Sequence, residues 1–240
     1  WIRKWGSKTG ALGLVFITNI LIFARMFGKK FDLVFVNQSE YISRFLVRKI
    51  SKKTPIVCYI NDDPFGGNSG RRFRVLKKAI GSYDLIVVVR PPNIGEAYDL
   101  GAKRVLRVYM CADELADRPQ HISNEDLSHF SSEVCFVGTW MPERGPFMVD
   151  LIKKGVPLAI WGGGWHKDPN WHILQRHWRG TRLTSRSQYV RAIQCSKICI
   201  GMLSKGNRDE HTQRSMEIPC IGGLLCAERT SEHLELYEEG

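Results

Sequence analysis

Four short stretches of this chain combine residue types that can do chemistry. Asn61, Asp62, Asp63 and Pro64 follow an apolar run, so two carboxylates stand side by side where a strand gives way to a loop. A carboxylate there, its pKa raised by burial or by its neighbour, is a general base for an incoming hydroxyl. The same four residues also make an Asx turn that ends the strand. Phe136 to Trp140 put Gly138 ahead of a helix start, with Arg144 close behind. Backbone N–H groups and a cation can face a phosphate at such a junction. Gly162, Gly163 and Gly164 lie between Trp161 and Trp165 and permit close approach of a ligand. The tryptophans could stack on a base, and core packing suits them better. The fourth stretch is the richest: Thr212 is a helix N-cap, Arg214 and Glu217 are three apart on one helix face, and Gly222 and Gly223 follow. That pair is either an intrahelical ion pair or the seat of an anionic ligand, with Arg on a diphosphate and Glu on a sugar or ribose hydroxyl.

Short β-type runs alternating with amphipathic stretches must position these groups, and that alternation predicts βαβ units with mostly parallel sheets. In the first half, strands are predicted at 32–36, 55–60, 84–89 and 105–109. Between them fall a helix capped by Ser39, a basic helix at 71–80 and a short helix ending near Gly101. Polar residues with Pro119 and Asn124 predict a linker over 116–131. A second alternation follows, with strands at 134–137, 157–161, 198–203 and 224–227 and helices at 146–154, 187–195 and 212–218, then a last helix from Ser231. The predicted fold class is α/β, two Rossmann-like domains facing across a cleft. Ligands of such sheets bind beyond the carboxyl ends of the strands, where the four stretches lie.

Composition narrows the function classes. With 43% hydrophobic and 25% charged residues, the 240-residue chain has the makings of a folded core, so disorder is a poor reading. Seven cysteines without a CxxC pair suit reduced thiols in a cytoplasmic protein, and no zinc site is expected. The apolar run at 11–24 falls short of the about 20 residues a membrane span needs, so a core or partly interfacial helix is expected there. The net charge of +11 is uneven: residues 1–113 carry 20 Lys and Arg against 8 Asp and Glu, and the remainder 15 against 16. The basic half attracts an acidic substrate or an anionic membrane face.

The order of the motifs, DDP after a strand, FVGTW with a downstream Arg, IWGGGW, and then T-x-R-x-x-E-x-x-x-x-G-G, resembles the CgeB-like, spore-maturation-protein group of glycosyltransferases. The resemblance covers most of the chain and is strongest from Glu133 onward. It implies a GT-B enzyme of retaining type that needs no metal and no cofactor beyond its nucleotide-sugar donor. An acceptor-side domain would occupy 1–115 and a nucleotide-sugar domain 132–240, each incomplete, so that activity of this fragment by itself is not expected. Carried to this sequence, Arg214 meets the diphosphate and Glu217 the donor sugar or ribose. Gly138 and Gly163 or Gly164 line the phosphate pocket, and Arg144, Thr212, Gly222 and Gly223 complete the binding set. Asp62 and Asp63 join Glu217 as catalytic candidates. Where related transferases carry a second Glu, this chain has Leu225, and its next acid is Glu228.

Two other classes compete. A polyanion- or nucleic-acid-binding module would use the Arg/Lys helices at 44–53 and 71–78, but no aromatic residues interleave with them as stacking platforms, so nucleic acid is not expected as a partner. A sugar-nucleotide epimerase shares the fold, and product analysis without an acceptor separates it.

Overall fold

The computed structural model describes residues 12–67, 71–180, 183 and 185–239. Residues 1–11 lie outside them, as does Gly240. The chain divides into two compact units, Trp1–Met110 with Ser204–Asp209, and Cys111–Leu203 with Glu210–Gly240.

The first unit follows the predicted alternation. Helix α1 (Leu12–Met26) precedes β1 (Val34–Asn37), α2 (Arg44–Ser51), β2 (Ile56–Ile60), α3 (Arg74–Ala79), β3 (Leu85–Val88), α4 (Pro92–Asp99) and β4 (Val105–Arg107). The strands form one parallel sheet in the order β1-β2-β3-β4. Leu46, Val47 and Ile50 of α2 close over Ile56, Cys58 and Ile60 of β2, the 3.6-residue helix period matching the two-residue strand period. Ser43, not Ser39, caps α2, its Oγ accepting the Leu46 N–H at 3.3 Å. Ser39 instead folds the preceding turn, accepting the Ile42 N–H at 2.9 Å.

The second unit contains α5 (Asn124–Phe130), β5 (Ser132–Val137), α6 (Arg144–Lys153), β6 (Leu158–Trp161), α7 (Trp171–Leu174), β7 (Trp178–Gly180), α8 (Arg186–Gln194), β8 (Ser196–Gly201), α9 (Gln213–Cys220), β9 (Leu225–Ala227) and α10 (Ser231–Leu236). Its sheet is parallel with the order β7-β6-β5-β8-β9. One core cluster unites α5, α8 and α9 through Phe130, Val190, Ile193 and Ile218. The other joins α6, α7 and Trp165 through Met148, Val149 and Leu174. The stretch predicted as a linker carries α5, because its polar residues form a capping box: Ser123 Oγ accepts the Asp126 N–H at 3.1 Å while Asp126 accepts the Ser123 N–H at 2.9 Å. Strand β7 and α7 are too short to announce themselves by periodicity. All seven cysteines are free; Cys58, Cys135 and Cys199 are buried, whereas Cys111, Cys220 and Cys226 are exposed.

Candidate functional site

The strand order of the second sheet reverses at β5: the chain runs outward through β6 and β7 on one side, and through β8 and β9 on the other. Loops leaving β5 and β8 therefore part in opposite directions and open a crevice at the carboxyl edge between them. Gly138 follows β5 directly. A Cβ there would meet Phe136 Cζ at 2.7 Å and Arg144 Nη1 at 3.3 Å, so the turn leaves no room for a side chain. Arg144 opens α6 and donates from Nη1 to the Thr139 carbonyl at 2.7 Å, with its guanidinium 5.5 Å from the Phe136 ring. Its Nε is buried without a partner. Burial, with Arg214 adding repulsion and exposed Glu143 partly offsetting it, pushes the Arg144 guanidinium below its usual pKa. Among the described residues it has no ion-pair partner.

The neighbouring glycines shape this edge. Gly162 has φ 136°, and a Cβ on it would fall 2.0 Å from the Gly138 carbonyl oxygen, so the loops after β5 and β6 touch backbone to backbone. Gly163 accepts the Trp140 N–H at 2.9 Å, and Gly164, at φ 85°, turns the chain into the buried Trp165. Trp165 Nε1 donates to the Gly138 carbonyl at 3.0 Å. Both Trp165 and Trp161 pack in the core.

Arg214 and Glu217 project from α9 to the same edge. Arg214 Nε donates to the carbonyl of Val137, the last residue of β5, at 3.4 Å, and its guanidinium lies 4.5 Å from the Tyr189 ring. Its Nη1 pairs with Glu217 Oε2. Glu217 is 1% exposed and takes two more donors, Arg186 Nη2 at 2.7 Å and the Tyr189 hydroxyl at 3.0 Å. Arg186, at the start of α8, also pairs with the fully buried Asp117, whose other oxygen accepts the Asp113 N–H at 2.8 Å. Burial would lower the Arg186 pKa, but hydrogen bonds to Glu217 and Asp117 outweigh it and raise it. Three guanidinium groups and two buried carboxylates thus gather in this unit, with Arg144 left unneutralised by either acid.

The start of α9 is braced from below. Thr212 is the N-cap, and Ser215 Oγ accepts its N–H at 3.1 Å, yet Thr212 Oγ1 itself is buried without a partner. Ser215 Oγ also bonds His233 Nε2 at 2.8 Å, while His233 Nδ1 donates to the Glu228 carbonyl at 2.6 Å. His211 is buried and pairs with the buried Glu232.

Gly222 and Gly223 lie elsewhere. Gly222, at φ 88°, donates to the Pro219 carbonyl and Gly223 to that of Ile218, both at 2.9 Å. These two bonds make a Schellman motif that ends α9. A Cβ on Gly223 would meet Ile193 Cγ2 at 2.7 Å. Both glycines precede β9 and therefore stand at the amino edge of the sheet, opposite the crevice.

In the first unit, Asp62 and Asp63 do stand at the carboxyl end of β2. Asp63 is 2% exposed and carries Arg208 on both oxygens, at 2.6 and 2.9 Å. It also accepts Asn93 Nδ2 at 3.1 Å and the Phe65 and Gly66 N–H groups. Burial would raise its pKa, but these bonds, Arg208 first, hold the carboxyl below the usual carboxylate range. Arg90, itself buried, pairs with Asp209 and donates to the Asn61 carbonyl at 2.7 Å. Asp62 keeps a partly open carboxylate, bonded to Gln38 and Arg72 at 2.7 Å each.

Sequence reasoning finds Arg144, Thr212, Arg214 and Glu217 but misses Arg186, Tyr189 and Asp117. They belong to no local pattern, being 31, 28 and 100 positions from Glu217. Among the described residues no three His, Cys, Asp or Glu side chains are grouped to hold a metal ion.

Residues 144–240 match the family model described as "Glycosyl transferase-like". No curated protein matches the chain. Among solved structures, it is similar to Anabaena HepE in complex with UDP and glucose, with a TM-score of 0.61 at 12% identity over 94% of this chain and 65% of that one. It is likewise similar to the α,α-trehalose 6-phosphate synthase of Burkholderia multivorans, with a TM-score of 0.64 at 13% identity over 93% and 63% of the two chains. The chain thus spans somewhat less than two thirds of the length of these structures. Its fold is that of these GT-B glycosyltransferases, and residues 144–240 are similar to the glycosyl transferase-like family.

Proposed function

We propose that the second unit holds the donor of a nucleotide-sugar-dependent glycosyltransferase, of the CgeB-like branch, working without a metal. The observation that carries this reading is the pair Arg144 and Arg214 at the β5/β8 switch point, with Arg144 Nε buried and unpartnered. Orphaned buried donors are costly unless a ligand satisfies them, and a diphosphate fits two guanidinium groups beside a helix N-terminus. Thr212 Oγ1, also unpartnered, adds a further group for a phosphate oxygen. Gly138, Gly163 and Gly164 let the ligand approach the backbone. Glu217, buried beneath three donors, holds Arg214 and Arg186 in place for the ligand. A UDP complex of a fold relative supports the same class of ligand.

In the reaction, the bond between the anomeric carbon and the diphosphate oxygen breaks as the acceptor oxygen bonds to that carbon. The nucleoside diphosphate leaves with the bond's electron pair, and Arg144 and Arg214 stabilise its growing charge. The acceptor loses its proton to a base. Of the two first-unit aspartates, Asp62 is proposed for that step, since Asp63 is already committed to Arg208 and Asn93. Isothermal titration of the chain with UDP-, GDP- and TDP-sugars tests the reading. Binding of one series, lost in Arg214→Ala, is expected. No binding by any of them overturns it.

A further inference from the structure

The first unit carries apolar surface that its own core does not use. Ile22 and Met26 of α1 turn into the core. Phe16, Ile17, Ile20, Leu21 and Phe23 of the same helix stand exposed, Phe16 at 68%, as does Phe27 just beyond it. Phe45, in the first turn of α2, is 76% exposed and extends the patch. A groove of about 560 Å³ runs between the two helices, lined by Phe16, Ile20, Phe23, Phe45 and Lys49 among others. A helix that is apolar on several sides needs cover on more than one of them.

Charge decides what kind of cover. Residues 12–53 hold eight Lys and Arg against Asp32 and Glu40, and Glu40 is taken by Arg72. Lys29, Lys49 and Lys53 line one hollow beside the patch, and Arg48 and Lys52 another, with no acidic side chain lining the groove or either hollow. Lys49 Nζ rests 4.0 Å from the Phe23 ring centre, so cation and apolar surface are interleaved. A second copy of this chain would set the same positive field against itself. A bilayer with anionic headgroups offers negative charge above a hydrocarbon layer and answers both features. Among the described residues no helix is long and apolar enough to cross a membrane.

We propose that α1 and the first turn of α2 dock on an anionic lipid bilayer, the exposed Phe, Ile and Leu side chains in the headgroup–acyl boundary and Lys29, Arg48, Lys49, Lys52 and Lys53 against the phosphates. This is independent of the sugar-transfer reading. The test is flotation of the full chain with vesicles of phosphatidylcholine alone, or with about a third phosphatidylglycerol. Partition is expected to be at least about ten-fold stronger onto the anionic vesicles and to weaken in high salt. Lys49→Glu and Lys53→Glu should each lower it about five-fold. Phe16→Ser and Phe45→Ser, at exposed positions, should lower it with the melting temperature unchanged. Equal partition onto both vesicle types overturns the proposal, as does none onto either. So does a dimer mass in light scattering that Phe45→Ser abolishes, since a second copy would then be the cover.

Discussion

Arg208 closes a two-point clamp on Asp63, its Nε and Nη2 reaching the two carboxylate oxygens at 2.6 and 2.9 Å although 145 positions separate the residues. The same guanidinium also holds Glu96, at 2.9 Å. Arg208 adopts φ 54°, a left-handed conformation uncommon for a residue with a side chain, and the clamp offsets that local cost. Residues 204–209 thus belong to the first unit through charge rather than through apolar packing.

Arg208→Ala should lower stability by about 2–3 kcal/mol, because it leaves the buried Asp63 carboxylate with only neutral donors. Chemical denaturation measures this. The pH dependence has a definite sign. Asp63 has a lowered folded-state pKa, so its contribution is present above the ordinary carboxylate range, near pH 4, and is lost as pH falls through the lowered value. Asp63→Asn should therefore remove part of the acid limb of the stability profile, and an unchanged limb would show that the clamp adds nothing.

Arg144 separates binding from stability. Its Nε is buried without a partner and burial lowers its pKa, so folding works against its charge. Arg144→Met keeps an unbranched side chain beside the Phe136 ring and should leave the melting temperature equal or slightly higher. Affinity for a nucleoside diphosphate should fall about ten- to hundred-fold, the loss of one charge-assisted contact worth about 1.5–3 kcal/mol. A variant that loses stability and keeps affinity would assign Arg144 to structure alone.

Tyr189→Phe removes one of the three donors on Glu217 while keeping the ring beneath Arg214 and Arg186. Burial holds the phenol above its ordinary pKa, so the hydroxyl stays a donor throughout the neutral range. A cost of about 1.5–3 kcal/mol is expected, that of one hydrogen bond to a charged group. Glu217→Ala should cost more, because Arg214 would lose the acid it pairs with and Arg186 would keep only Asp117. Thermal denaturation of the two variants side by side checks the order.

Much of the fold was legible because a buried parallel strand writes itself as an unbroken apolar run: residues 56–60, 85–88 and 158–161 could hardly be anything else. Strand order was not, since nothing local in β5 says that β8 lies beside it. The switch point follows from that adjacency, which only the fold supplies. Arg214 and Glu217 were legible as neighbours by their spacing of three, whereas Arg186 reaches Glu217, and Asp117 reaches Arg186, through the fold alone. The paired glycines after α9 show the opposite problem. Gly222 and Gly223 read as a ligand turn, but a helix ending in a left-handed residue demands glycine for its own reasons, and the Schellman bonds use both.

Gly162→Ala gives the most local test of how the carboxyl edge is built. The residue sits at φ 136°, which an L-alanine rarely adopts, and its new methyl would stand 2.0 Å from the Gly138 carbonyl oxygen. Neither neighbour can yield easily. Gly138 is held by its N–H bond to the Trp161 carbonyl at 2.9 Å, and its own carbonyl by Trp165 Nε1. Backbone strain of about 1–3 kcal/mol adds to an overpacking cost of similar size, so the variant should unfold well below the parent temperature. Gly164→Ala shares the positive φ but meets Trp140 Cβ only at 3.5 Å, so it carries the strain without the collision. It should cost about half as much. Should the two substitutions prove equally mild in thermal denaturation, the backbone contact between the loops after β5 and β6 would not be what holds the crevice open.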